Sequence, residues 1–352
     1  MRRSWIVLAI GIAVLAFLAL AQHSGPYKVV KTAKVGGAGG FDYVYADADG
    51  RRLYIARTGP PATAGGAPSG RMTVYNLDTL ESVGEIPGFN SHGAVVSGKA
   101  SHGFATSKPV TMFDPKALTV IKTIDVQGNP DGMLYDGFND HVYILSHSAP
   151  NATAINAADG SVLGTIDLGG APEQGVTDGR GHIYVDIEDK GNIAVVDAKT
   201  MTVTTHYDLQ GKGGTCAGLA MDAKNGILFA ACRNPQTMVI LKAENGEIIT
   251  TLPIGQGTDG ATFNPNTMEA FSSQGDGTLT IVKENSPASF VVEQNLETMR
   301  GAKTLTLDSK TNRILLIAAE YAAPANPAPQ GGRGFGRGQI VPDSFTIVAV
   351  GK

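Results

Sequence analysis

The segment that decides the fold is Glu173–Asp208, which reads EQGVTDGRGHIYVDIEDKGNIAVVDAKTMTVTTHYD. It contains four short runs rich in Val, Ile, Tyr and Thr, which favour strands, separated by turns of Gly, Asp, Asn and Lys. The middle two runs are almost continuously apolar, as is typical of strands buried on both faces. The segment therefore predicts a small four-stranded antiparallel sheet packed between two neighbouring sheets.

The same pattern recurs along the whole chain. Six-residue runs that close on an acidic or turn residue end at positions 47, 97, 136, 178, 222, 264 and 308. The gaps between these positions are 50, 39, 42, 44, 42 and 44 residues. Seven repeats of this length, each with three or four short strands, predict an all-β fold, namely a seven-bladed β-propeller of four-stranded antiparallel blades.

The two ends of the chain complement each other. The seventh repeat supplies only three strands before the chain stops, and residues 27–35 have the character of the missing fourth strand. Pairing this N-terminal strand with the last blade would close the ring and remove a free sheet edge. We therefore predict a single propeller domain over residues 22–352, closed by residues 27–35.

Composition and charge exclude several classes of protein. Of the 352 residues 42% are hydrophobic, which is enough to bury a large core, and 45 are Gly. Only 17% are charged, which argues against coiled coils and helical arrays. The net charge of −4 includes no basic excess, so a nucleic-acid partner is not expected.

The first 21 residues have the pattern of a signal peptide. Arg2 and Arg3 precede an apolar run from Trp5 to Leu20, and Ala19–Ala21 supplies a small-x-small cleavage site. Cleavage after Ala21 would deliver a periplasmic or secreted protein with no integral membrane domain. An uncleaved N-terminal anchor is the alternative.

Several short motifs carry a family resemblance. Tyr184–Asp186, the turn Val195–Thr200, and Leu53–Ile55 with Val74–Thr79 resemble the YVTN-type repeat. The resemblance extends over residues 27–352 and implies an exported bacterial YVTN-family β-propeller. It specifies the fold and leaves the ligand and partner open, because members of this family bind diverse partners.

Two low-complexity stretches interrupt the repeats. Residues 57–71 and 320–342 are rich in Gly, Pro and Ala, and each falls between the second and third strands of its blade, the first and the seventh. These blades are neighbours in a closed ring, so the two predicted flexible loop insertions could form a joint lid. Arg333–Arg337 could contact RNA, but a solvated loop is the simpler interpretation.

Polar residues recur at the start of the innermost strand of each repeat. Alignment of the seven copies puts these residues around one mouth of the central channel: Asp42, His92, Asp131, Glu173, Ala217, Asp259 and Lys303. Such an acidic ring could bind a divalent metal, an amine or a sugar, and crowded carboxylates raise one another's pKa. The alternative is that these side chains only solvate the channel.

A second set of charged residues ends the second strand of each repeat on the same face: Arg57, Lys108, His147, Glu188, Arg233 and Glu320. His92 and His147 stand in adjacent repeats, so both could reach one metal together with Asp131. Their spacing is not a local metal motif, and a surface or hydrogen-bonded role is the alternative for each histidine. We therefore add Arg57, His147 and Arg233 to the candidate ligand site.

The two cysteines of the chain, Cys216 and Cys232, fall on adjacent strands of the fifth blade. A hairpin that turns at 223–226 brings them within cross-strand reach, so an oxidising compartment favours a disulfide. Free thiols or a copper site are the alternatives.

No catalytic motif with a nucleophile elbow, phosphate loop or dinucleotide fingerprint appears in the sequence. We predict an exported binding or scaffold protein that engages a partner protein or small ligand on the loop-rich face at the channel mouth. The alternative is a metal-assisted, lactonase- or hydrolase-like enzyme, which requires three or more of the ring carboxylates and His92 to converge. An electron-transfer accessory is a third possibility, and it requires free thiols at Cys216 and Cys232.

Overall fold

The computed structural model describes residues 25–59, 69–322 and 339–352, and these residues form 28 strands and no helix. The predicted signal peptide, residues 1–21, lies outside the described residues, as do the central parts of both loop insertions, 60–68 and 323–338. None of the described residues form a helix with the length and apolarity that a membrane crossing needs.

The strands form seven four-stranded antiparallel sheets arranged as the blades of a propeller. Blade 1 comprises β2 (Gly40–Asp47), β3 (Arg52–Thr58), β4 (Arg71–Asn76) and β5 (Ser82–Pro87). Blade 2 comprises β6 (Ser91–Val96), β7 (Gly103–Ser107), β8 (Val110–Asp114) and β9 (Thr119–Ile124). Blade 3 comprises β10 (Pro130–Asp136), β11 (His141–Ser146), β12 (Asn151–Asn156) and β13 (Val162–Asp167).

Blade 4 comprises β14 (Pro172–Thr177), β15 (His182–Ile187), β16 (Asn192–Asp197) and β17 (Thr202–Asp208). Blade 5 comprises β18 (Cys216–Asp222), β19 (Ile227–Arg233), β20 (Gln236–Lys242) and β21 (Ile248–Pro253). Blade 6 comprises β22 (Thr258–Asn264), β23 (Glu269–Gln274), β24 (Thr278–Ser286) and β25 (Ser289–Glu297). Blade 7 comprises β26 (Lys303–Asp308), β27 (Arg313–Ala318), β28 (Thr346–Gly351) and the N-terminal strand β1 (Lys28–Lys34).

The N-terminal strand closes the ring as the sequence predicts. Strand β1 pairs antiparallel with β28, from Lys28 opposite Gly351 to Lys34 opposite Thr346. The last blade therefore takes three strands from the C-terminal end of the chain and its outermost strand from the N-terminal end. This confirms both the seven-bladed architecture and the predicted closure.

The hydrophobic core lies between successive blades. Between blades 1 and 2, for example, Tyr54 and Met72 pack in one cluster with Ala105 and Phe113, and all four are almost fully buried. The middle strands of each blade are covered on both faces, which explains why their sequences are continuously apolar. The outermost strands are exposed, so their apolar residues are fewer and more scattered.

Candidate functional site

The innermost strand of every blade is irregular at its start. We call the place of the seven aligned mouth residues, one in each blade, the ring position. At this position the pairing between the first and second strands shifts register in every blade. The shifts lie between Phe41 and Val44, Ser91 and Ala94, Pro130 and Met133, Pro172 and Gly175, Cys216 and Gly218, Thr258 and Ala261, and Lys303 and Leu305. Six of the seven predicted ring residues lie inside these bulges, and Lys303 borders the seventh. A bulge redirects a side chain that would otherwise lie in the sheet face. Seven bulges thus turn the ring side chains towards the channel mouth.

One side of the mouth holds a network of ion pairs that joins blades 4 to 7 and reaches blade 1. The Lys303 Nζ lies 2.5 Å from Asp259 Oδ2 and 3.6 Å from Asp42 Oδ1. Arg233 donates to Asp259 Oδ1 at 2.5 Å and to Glu188 Oε1 at 2.8 Å. Burial alone would raise the pKa of Asp259, but the two cations outweigh it and hold that pKa below its usual value.

The other side of the mouth brings two histidines together with carboxylates. His92 Nδ1 lies 2.8 Å from Asp42 Oδ2 and 3.4 Å from Asp131 Oδ1. His147 Nδ1 lies 3.2 Å from Glu173 Oε2, and its Nε2 lies 3.6 Å from Glu188 Oε2. Asp131 stands between the two histidines, so the ring residues of blades 1 to 4 form one continuous cluster.

Electrostatics differ between the two sides. Burial, together with the neighbouring carboxylates Asp42 and Glu173, raises the pKa of Asp131 to about 6, although His92 opposes this shift. The hydrogen bond to Asp42 raises the pKa of His92, and the contact with Glu173 raises that of His147. Burial and the neighbouring carboxylates therefore outweigh the attraction of His92 at Asp131.

Two groups of donor atoms in this cluster have the geometry to hold a metal ion. In each group of three residues one donor atom per residue lies within 4.8 Å of the others: Asp42 with His92 and Asp131, and Asp131 with His147 and Glu173. Both groups share Asp131. Each combines an imidazole nitrogen with carboxylate oxygens, which is a donor set used by zinc and similar transition metals.

Two side chains cross the channel a short way below the mouth. Tyr43 follows the ring residue of blade 1, and its hydroxyl donates to the backbone carbonyl of Glu173 in blade 4, 3.3 Å away. Gln174, in blade 4, donates to the carbonyl of Ala261 at 3.0 Å and accepts from the amides of Leu219 and Ala261 at 3.1 and 3.0 Å. These two side chains form a floor that links blades 1, 4, 5 and 6.

Glycines make room for this floor. In blades 2, 3, 5 and 6 the residue after the ring position is glycine: Gly93, Gly132, Gly218 and Gly260. A Cβ on Gly132 would stand 2.4 Å from the Glu173 carbonyl oxygen, and one on Gly218 would stand 2.7 Å from the backbone of Gly260. The cavity that remains along the axis measures about 170 Å³ and is lined by Tyr43, Gln174 and inner-strand residues. We call the part of the mouth above this floor the bowl.

Sequence reasoning missed the floor residues and the buried Asp186. Asp186 is fully buried, and its Oδ1 accepts a hydrogen bond from the backbone N–H of Gln174 at 2.6 Å. It thereby fixes the backbone from which the Gln174 side chain projects into the floor. Burial raises the pKa of Asp186 well above its usual value. The recurrence of Gly one residue after the ring position was the sequence signal that could have located the floor.

Three predicted residues of the second set lie away from the cluster. Arg57 is almost fully buried, and its guanidinium carbon lies 3.5 Å from the centre of the Phe345 ring. Lys108 donates to Asn129 Oδ1 at 3.0 Å and to the Gly128 carbonyl at 2.6 Å, in the loop that leads from blade 2 to blade 3. Glu320 is exposed. The structure thus groups His147, Glu188 and Arg233 with the ring, and leaves Arg57, Lys108 and Glu320 outside it.

The two cysteines are joined. Cys216 and Cys232 form a disulfide between the first two strands of blade 5, and both are buried. Cys216 immediately precedes the apolar ring position Ala217. With both sulfurs in this bond, blade 5 offers no free thiol to a metal at the channel mouth.

Comparisons with known proteins identify the fold and no family. No protein-family model and no curated protein match the chain. A chain in the crystal structure of a mitotic checkpoint complex is similar in fold, with a TM-score of 0.69 over 90% of this chain and 96% of that chain. The two sequences are only 10% identical, so the likeness concerns the fold alone.

Proposed function

We propose that this protein is a binding protein that holds a small, positively charged ligand in the bowl at the mouth of its central channel. The excess of acidic side chains there carries the proposal. Five carboxylates (Asp42, Asp131, Glu173, Glu188 and Asp259) face two permanent cations, Arg233 and Lys303. Even with both histidines protonated, the acidic groups outnumber the basic ones.

A divalent transition metal is the simplest ligand that fits. Both permanent cations contact Asp259, whereas the ion pair of Asp131 is with His92. Asp131 and its two histidine neighbours therefore form the part of the bowl best suited to bind an added cation. The nitrogen and oxygen donors favour zinc, nickel or cobalt over calcium and magnesium, which prefer oxygen ligands alone.

The substitution Asp131→Asn tests this proposal. It removes the charge shared by both donor groups and keeps the size of the side chain. We expect zinc to raise the melting temperature of the metal-stripped wild-type protein by several degrees at saturation, because a ligand that binds only the folded state at 100 times its Kd stabilises it by about 2.7 kcal/mol. The rise should be reversed by a chelator and should be lost in the variant.

The matched control is Asp159→Asn. Asp159 is exposed in the turn between β12 and β13 at the opposite face of blade 3. This control should retain the full zinc response. No response to any divalent ion in the wild-type protein, or an equal response in Asp131→Asn, would contradict the proposal.

A metal-assisted hydrolase is the second candidate, and one observation favours it. One donor atom each of Asp42, His92 and Asp131 lies within 4.8 Å of the others. A metal-assisted enzyme requires such a convergence of ring residues. A metal bound there would polarise a carbonyl and activate water, and a neighbouring carboxylate would accept the proton. Initial rates on a panel of lactones and esters, with metal-loaded and metal-stripped protein, test this candidate. Metal binding without turnover on any substrate would leave the binding function alone.

Export to an oxidising compartment remains part of the proposal, as does membership of the exported YVTN-type propellers. The basic and apolar N-terminal sequence supports export, and a buried disulfide is compatible with that compartment. Expression of the full chain in a bacterium, followed by fractionation and intact mass measurement, tests it. A periplasmic product that begins at Gln22 is expected; a cytoplasmic product that retains residues 1–21 would contradict it.

A further inference from the structure

A second polar cleft lies at the seam where blade 7 meets blade 1, apart from the channel mouth. It measures about 510 Å³ and is lined by the end of β1, the Gly36–Gly37 loop and strands β3 to β5. Its basic side chains are Lys34, Arg57 and Arg71. We call it the arginine cleft.

Arg57 is a buried cation without a counter-ion. Only 1% of its surface is exposed, and its guanidinium donates to the carbonyls of Gly36 and Ala38 at 3.1 to 3.2 Å. No carboxylate among the described residues lies within ion-pair distance of Arg57, and its Nε has no hydrogen-bond partner. Buried charges are normally paired, because desolvation of an unpaired ion is costly.

A second guanidinium approaches the first. A Cβ placed on Gly37 would stand 3.4 Å from Nη2 of Arg57 and 3.1 Å from Nη2 of Arg71, so both groups converge on one point. Burial, with the neighbouring charge of Arg71, lowers the pKa of Arg57 to about 10, although Tyr75 acts in the opposite direction. Two converging cations repel each other, and an anion bound between them would offset this repulsion.

The carboxylates around the cleft do not fill that role. Glu85 lies 3.1 Å from Nε of Arg71, and its side chain is half exposed. Asp343 accepts the Gly37 amide at 2.8 Å. Glu81 lies at the exposed edge of the cleft. The partners of Arg57 at the inner wall are therefore the carbonyls of Gly36 and Ala38, the Phe345 ring and Tyr75, and none of these is a carboxylate.

We propose that the arginine cleft binds an oxyanion, either an inorganic phosphate or sulfate or the carboxylate of a small acid. The planar guanidinium forks of Arg57 and Arg71 match the geometry of such groups. The bound anion would touch residues of the β1–β2 loop and of blade 1, because Arg57 also holds Gly36 and stacks on Phe345. Anion binding would thereby stabilise the closure of the ring.

The test measures anion binding to the chelator-treated protein. Melting temperatures are recorded at constant ionic strength in chloride, phosphate, sulfate and citrate, and affinities are measured by calorimetry. We expect a saturable rise in at least one oxyanion over chloride. A response to phosphate and sulfate identifies an inorganic oxyanion, and a response to citrate alone identifies a carboxylate ligand.

Arg71→Gln is the decisive variant, because Arg71 is partly exposed and its ion pair among the described residues is with Glu85, so that the fold should survive. It should weaken anion binding at least about tenfold, in line with the loss of a hydrogen bond between charged groups. Arg57→Lys provides a second variant that keeps a positive charge and removes the fork. Glu85→Gln is the control and should bind as tightly as the wild type or more tightly. Absence of any oxyanion effect over chloride in the wild-type protein, or equal affinities in the wild type and Arg71→Gln, would overturn the proposal.

Discussion

Gln174 connects three blades through a single amide group. Its oxygen accepts the amides of Leu219 and Ala261, which are both buried, and its nitrogen donates to the carbonyl of Ala261. We expect Gln174→Ala to lower the free energy of unfolding by about 1–3 kcal/mol, because two buried N–H groups would lose their acceptor. Urea unfolding measures this value.

The matched control for this prediction is Gln236→Ala, since Gln236 is exposed at the start of β20. Its effect should stay within about 0.5 kcal/mol of zero, as for most surface substitutions. A Gln174→Ala variant as stable as this control would show that water replaces the floor contacts at no cost.

The location of a side chain could be predicted from the sequence where the same position recurs in every repeat. It could not be predicted where it depends on a single contact between distant residues. The ring side chains share one place in each repeat, so alignment of the copies located them before the bulges were known. Arg57 shares the place of His147 and Arg233, but its side chain stacks on Phe345 instead. That contact crosses the seam between the two ends of the chain, and no local pattern in the sequence reports it.

At the scale of elements, the residue that closes each repeat motif determines the turn that follows. The side chains of all seven accept a backbone N–H two or three residues ahead: Asp47, Ser97, Asp136, Asp178, Asp222, Asn264 and Asp308. Asp, Asn and Ser favour such turns because their short side chains reach their own backbone. The hairpins between first and second strands could thus be read from sequence, whereas the bulges could not, since they depend on the crowding of seven strands around one axis.

One of these turn residues also ties blade 7 to blade 1. Arg51 of blade 1 donates to both carboxylate oxygens of Asp308, each at 2.8 Å. Burial alone would raise the pKa of Asp308, but hydrogen bonds from Arg51 and Thr311 outweigh it and hold the pKa below its usual value. A carboxylate whose pKa is lower in the folded state stabilises the fold fully above its unfolded pKa of about 4, and this stabilisation is lost as pH falls through the folded value.

Asp308→Asn should therefore flatten the acid limb of the stability profile. We expect the variant to be less stable than the wild type at pH 7, with the difference shrinking as pH falls below about 4. Melting temperatures between pH 7 and pH 2 measure this. Asp208→Asn serves as the control, because Asp208 accepts one turn amide and makes no ion pair with the described residues. A stability difference independent of pH would refute the role of the ion pair.

At the scale of the whole molecule, the ends of the chain hold the ring together. Tyr27, just before β1, is buried and donates its hydroxyl to Glu269 of blade 6. Its backbone exchanges two hydrogen bonds with the side chain of Gln294, at 3.0 and 2.9 Å. Lys352, the last residue, reaches Glu269 Oε1 at 2.8 Å. Tyr27 and Lys352 therefore both bind to blade 6, and strands β1 and β28 beside them pair with each other.

The overall architecture followed from counting strands. A repeat that lacks its outer strand, together with a strand-like segment at the other end of the chain, leaves one closed arrangement without a free edge. The likeness in fold to a chain of a solved structure at 10% identity shows that different side chains can support this fold. The identity of the ligand could not be predicted from the strand pattern. It depends on a few charged side chains at the channel mouth, and the strand pattern does not determine them.

Removal of residues 22–35 tests the closure. The truncated chain would lose the whole β1–β28 ladder and expose the edge of β28, along with Tyr27 and its contacts to blade 6. We expect a markedly lower melting temperature and association through the freed edge, because an unpaired strand is a template for pairing with another chain. A chain that begins at Gly25 is the control and should melt like a chain that begins at Gln22. Since β1 supplies one quarter of blade 7, a truncated protein that stays monomeric with an unchanged melting temperature would mean that the ring holds without its closing strand.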